Sequence, residues 1–162
     1  MRMLRAARLI AALWVGSLWT IGYLVAPTLF ATLTDRMQAG TIAGSMFRIE
    51  AWLSIFCAVA LMVLLNLRAP RSRSRRRKRI PVLVLSMLVA TLISHFGLQP
   101  FMAALREAAG PSGVMAPDVK MQFGILHGIS GAIYLIESLL GLVLLLALDS
   151  EPKVEDTGPA AR

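Results

Sequence analysis

The sequence predicts an all-α protein, a four-helix transmembrane bundle with both termini inside (N-in/C-in). Three observations lead there. Four apolar runs, at about 8–30, 44–66, 81–105 and 121–148, are each long enough to cross a ~30 Å hydrocarbon core at about 1.5 Å per residue. Charged or Gly- and Pro-bearing segments separate them. Inside the fourth run the polar residues do not scatter. His127, Ser130, Tyr134, Glu137 and Gly141 follow at steps of three and four, which winds them onto one stripe. Lipid offers such a stripe no partners, so it must face protein or a water-filled cavity.

Composition agrees. Of 162 residues 57% are hydrophobic, and the mean hydropathy is +0.69. A soluble domain is nearer 45–50% apolar and breaks its apolar residues up by amphipathic spacing. The length suits one membrane domain, 1–150, followed by a polar, disordered cytoplasmic tail, 151–162. The net charge of +8 would suggest nucleic acid on a soluble protein. Its placement argues for a topology signal instead, and no nucleic-acid partner is expected. Cys57 is the lone cysteine, so no disulfide within the chain is available.

The first run, Arg8 to Phe30, follows Arg2, Arg5 and Arg8. It is longer than the ~7–15 residues of a signal-peptide core and no clear A-x-A site follows, so it reads as a retained span. Gly16, Thr20, Tyr23 and Pro27 fall on one face. The second span begins between Gly40 and Phe47 and ends near Asn66. Gly40 and Gly44 make a G-x-x-x-G pair that a close helix approach or a plain loop explains equally well. Arg48 and Glu50 belong near the membrane boundary, with Trp52 as an interfacial aromatic.

A basic cytoplasmic loop, 67–80, contains RAPRSRSRRRKR. Its Arg75, Arg76, Arg77, Lys78 and Arg79 suit anionic lipid head groups. The third span opens with Pro81 in its first turn and carries Thr91, His95, Gln99 and Met102 on one face, with Pro100 expected to kink it. Counting positions sets the orientation. With both termini inside, 13 Lys and Arg lie on the cytoplasmic side, and Arg36, Arg48, Arg106 and Lys120 lie outside.

Counting 1.5 Å per residue brings Tyr23, Glu50, His95 and His127 to one height, about 21 Å above the cytoplasmic boundary. Gln99, Ser130 and Tyr134 complete a candidate ligand-binding layer. Glu137 falls apart from it, nearer the cytoplasm, with Asn66 or Tyr134 as partners. Two histidines, His95 and His127, could ligate a metal or a haem iron, and Met46, Met102 and Met121 would suit copper(I). No P-loop, G-x-G-x-x-G, G-x-S-x-G or H-E-x-x-H occurs, and the expectation leans away from an enzyme.

Three functions stay open. The first is an integral membrane protein that assists movement of a small solute or metal ion through the polar layer. The second is a haem- or metal-binding membrane redox protein. The third is a structural partner in which the layer fixes helix packing, with self-association into a homo-oligomer left open.

Two stretches carry a family resemblance. They are WVGSLWTIGYLVAPTLFATLTDRMQAGTIAGSMF, from Trp14 to Phe47, and FGILHGISGAIYLIESLLGL in the fourth span. In these the chain resembles the transmembrane protein 205-like family of small membrane proteins without an established activity. The resemblance implies four spans and the inner (plasma) membrane of a bacterium. That family is distantly similar to CopD-type copper resistance membrane proteins and to membrane haem proteins of related topology, which draws attention to His95 and His127.

Overall fold

The computed structural model describes residues 2–67, 75–108 and 114–150, and every regular element in them is helical. Helix α1 (Arg2–Trp19) passes through a π-helical segment (Thr20–Val25) into α2 (Ala26–Thr32). Helix α3 (Arg36–Leu67) returns. Helix α4 (Arg75–Leu92) passes through a second π segment (Ile93–Leu98) into α5 (Gln99–Ala108), and α6 (Pro117–Asp149) returns again. Four candidate spans result: Met3–Thr32, Arg36–Leu67, Arg79–Ala108 and Pro117–Asp149.

Both π segments have the same cause. Each ends two residues before a proline, Pro27 or Pro100. A proline has no N–H to give and its ring crowds the carbonyl four residues back, so the ladder ahead of it widens by one residue.

The second helix starts earlier than its hydropathy suggests. Asp35 Oδ1 accepts hydrogen bonds from the Met37 N–H (2.8 Å) and the Gln38 N–H (3.2 Å), a helix cap that carries the coil back to Arg36. Gly40 and Gly44 are therefore helical. Glu50 and Trp52 lie about 21 and 24 Å along the helix, near its middle and not at a boundary. Trp52 is no interfacial anchor; its ring stands edge-on to His95 and Phe96.

Residues 68–74 of the basic loop and the tail 151–162 fall outside the described residues, as do the side chains of Arg75, Arg76, Arg77 and Lys78. The backbone is already helical at Arg75, and the Arg79 side chain is exposed.

Around the bundle, α1 packs on α3 and α6, and α4 packs on the same two helices. The first and third spans are thus diagonal to one another, as are the second and fourth. Near the termini the ring is closed by a core of Ala7, Ala11, Trp14, Val15 and Leu18 on α1, Ala58 and Leu61 on α3, Val84 and Met87 on α4, and Leu144 and Leu148 on α6. The Arg8 guanidinium donates to the Leu148 carbonyl (3.2 and 3.1 Å) and the Asp149 carbonyl (3.1 Å), satisfying the end of α6. At the opposite end the ring opens into two pairs, α2 with α3 and α5 with α6.

The outer faces stay apolar: Leu9, Phe56 and Ile49 are 71%, 70% and 68% exposed. With four helices of spanning length, such a surface is that of a multi-pass membrane protein.

Gly141 sets the closest approach in the core. A Cβ there would lie 2.9 Å from Val15 and 3.3 Å from Met87. Gly141→Ala is expected to cost about 1–3 kcal/mol through overpacking, read as a lower melting midpoint in detergent; an unchanged midpoint would show that α1 can yield there.

Candidate functional site

Where the ring opens, a cavity of about 820 Å³ lies between the two helix pairs, lined from all four spans. The first π segment turns the side chains that line it. The buried face of α1 runs Ala7, Ala11, Trp14, Leu18, and a straight helix would continue it through positions 25 and 29. The wall is instead made by Gly22, Tyr23, Ala26, Pro27 and Phe30. In the first span the extra residue of the π segment turns the following face by part of a turn. On the third span Val84, Met87 and Thr91 are followed by His95, Gln99, Met102 and Arg106, at steps of three and four that keep one helix face.

All eight residues expected of the polar layer line this one cavity: Tyr23, Glu50, His95, Gln99, His127, Ser130, Tyr134 and Glu137. Glu137 is not set apart. Its Oε1 accepts a hydrogen bond from the Thr91 hydroxyl at 2.6 Å, and that hydroxyl also lies 3.1 Å from the Met87 carbonyl. Asn66 is exposed, so the partner is Thr91 on the neighbouring helix and not Asn66 or Tyr134.

Glu50 is 2% exposed. Its Oε1 accepts from Ser17 on α1 (3.1 Å) and from Ser54 one turn along α3 (3.3 Å). Ser54 is held in turn by the Trp14 indole N–H at 2.7 Å. The other carboxyl oxygen, Oε2, is buried with no hydrogen-bond partner among the described residues. Together the two halves of the chain repeat one device. A π-and-proline helix supplies a hydroxyl, Ser17 or Thr91, to an acid on the returning helix, Glu50 or Glu137.

Tyr134 spans the cavity. Its hydroxyl donates to the Leu18 carbonyl beside the first π segment, and its ring meets Tyr23 and Phe47 edge-on. The ring occupies the place a Cβ would take on Gly22.

His95 is half-buried against Trp52 and Phe96, while His127 is exposed and stacks on Phe123 at 6.0 Å. Among the described residues, no three His, Cys, Asp or Glu side chains converge as a metal site. Of the methionines considered for copper(I), only Met102 lines the cavity, beside Met37 and Met115; Met46 and Met121 do not.

The rim is cationic. Arg36 and Arg106 line it, and the Arg106 guanidinium lies 3.4 Å from the Gly40 carbonyl and over the Phe123 ring at 5.6 Å. A Cβ on Gly44 would touch it at 3.4 Å. The G-x-x-x-G pair thus beds an arginine and not a neighbouring backbone.

Sequence reading did not single out Ser17, Ser54, Trp14 or the rim arginines. Ser54 was the most findable, one helical turn from a buried acid. Ser17 and Arg106 had no local signal, because their partners lie on other helices.

A family model described as a domain of unknown function, DUF4149, matches residues 9–111. The match takes in Tyr23, Glu50, Thr91, His95 and Gln99, and α6 with Tyr134 and Glu137 follows it. No curated protein and no solved structure matches the chain.

Proposed function

We propose that this chain, which belongs to the DUF4149 family of unknown function, binds a small solute in the cavity of its four-helix membrane bundle and assists its movement. The observation that carries the reading is an 820 Å³ chamber with a mainly aliphatic and aromatic wall, two arginines at its rim and two acids on its wall. Such a chamber suits a short molecule with an apolar body and an anionic end, the end held by Arg36 and Arg106. The placement of Lys and Arg supports N-in/C-in and a basic loop against anionic lipids, and the resemblance to transmembrane protein 205-like proteins supports a bacterial inner membrane. Kinship with transmembrane protein 205-like proteins is part of the same proposal.

Gly131 offers the test. It lines the cavity, and a Cβ there meets nothing within 4 Å. Gly131→Phe is expected to fold normally and fill the chamber. In nanodiscs, octanoate should raise the melting midpoint of the unmodified protein and leave that of Gly131→Phe unmoved. Equal shifts in both would sink the reading, since the anion would then be acting on the bilayer.

A further inference from the structure

A buried acid with one oxygen unaccounted for is a half-finished site. We propose that Glu50 exchanges a monovalent cation, a proton or sodium, with the cavity, and that Glu137 is a second acceptor on the same wall. This deepens the solute-binding proposal by naming an ion that would accompany an anionic solute, and it rests on that proposal only for access to the cavity.

The argument begins with the donor set. Glu50 presents two carboxyl oxygens and is met by the Ser17 and Ser54 hydroxyls, all hard oxygens that suit a proton or sodium and not a soft metal. Ser17 has a second acceptor, the Trp14 carbonyl at 2.8 Å, so its single proton can turn away from Glu50 and free a lone pair toward it. Ser54 is anchored by the Trp14 indole N–H.

Oε2 is the second, independent observation. It is enclosed without a partner among the described residues, on a residue that is 2% exposed and lines the cavity. A carboxylate in so enclosed a place requires a counter-charge, and no cationic side chain reaches it among the described residues. The titratable groups that share its cavity are Glu137, Tyr134 and Tyr23, with His95 and His127 on the third and fourth spans. The arginines stand at the rim, Arg36 about four helical turns from Glu50 along α3 and Arg106, beside Gly40 and Gly44, about two to three.

Repetition supports an exchangeable ion over a single structural acid. Glu137 sits on the diagonal helix with its own hydroxyl, Thr91, whose proton likewise has a second acceptor in the Met87 carbonyl. Two acids with switchable hydroxyl partners on one cavity are two stations for one kind of ion.

The test is carbodiimide labelling of the intact protein in nanodiscs, with the adduct located by peptide mass spectrometry. Dicyclohexylcarbodiimide enters membranes and reacts with protonated carboxyls, adding the acid O–H across its C=N bond. An adduct at Glu50 is expected, with a rate falling about tenfold per pH unit on its alkaline limb. Slowing by sodium chloride and not by choline chloride would identify sodium as a competitor for the site. Indifference to both salts with the pH dependence kept would identify the proton alone. No adduct at Glu50, or one insensitive to both pH and sodium, overturns the proposal. Mapping on the unmodified chain keeps the result readable even if Glu50→Gln fails to fold. No organic solute is present, so failure here leaves the octanoate result standing.

Discussion

Trp14→Ala is expected to be the most damaging single substitution in the bundle, costing about 3–5 kcal/mol. Trp14 is fully enclosed and is the largest buried side chain of the core. Deleting its ring leaves a void in the core between α1 and α3 that the helices can only partly close. It also releases Ser54, and with it one support of Glu50. Trp14→Phe separates these effects. It keeps most of the volume and gives up the indole donor, an interhelical hydrogen bond worth about 1 kcal/mol or less in a membrane. The lone thiol, Cys57, is buried and supplies the readout, since a thiol-reactive dye reports unfolding as the core opens. Similar midpoints for the two variants would show that the hydrogen bond, and not the packing, holds α1 and α3 together.

Gly22→Ala is the second large effect. Even one methyl group cannot coexist with the Tyr134 ring, so the ring must leave its seat across the cavity and its hydroxyl must release the Leu18 carbonyl. A cost of about 1–3 kcal/mol is expected from overpacking. The double variant Gly22→Ala with Tyr134→Ala should lose less than the two single costs added, by about 1 kcal/mol or more, because the first change no longer meets a ring. Strict additivity would mean that the π segment simply shifts aside. The same pair bears on function. Tyr134 walls the cavity between the first and fourth spans, so displacing it should weaken octanoate binding even where folding survives.

Much of the architecture is legible without coordinates. Four runs of apolar residues are visible as such because a bilayer demands about twenty in succession, and the stripe on α6 is visible because helical periodicity is local. The eight polar residues expected to form a layer all face one cavity, since a polar group within a span has few places to go. Heights were harder. Glu50 and Trp52 were misplaced because a single capping residue, Asp35, extends α3 by two turns beyond its apolar run. Glu137 looked isolated because its partner, Thr91, sits 46 residues away in sequence. The prolines announced a kink; that the first would shift the helix face by one residue was a consequence of how the backbone ladder repaired itself.

What the sequence by itself determined is therefore the fold class, the number of spans and the inventory of polar groups that the bundle must shelter. Those follow from local quantities: hydropathy summed along a run, periodicity within a turn, and the cost of leaving a polar group in lipid. Which groups meet was decided only in three dimensions. Glu50 with Ser17, Glu137 with Thr91, Tyr134 with Leu18 and Arg106 with Gly40 each join different helices. Their pairing depends on the rotation and height of every helix at once, and these are set by packing at Gly141 and Trp14, by the Asp35 cap and by the two π segments.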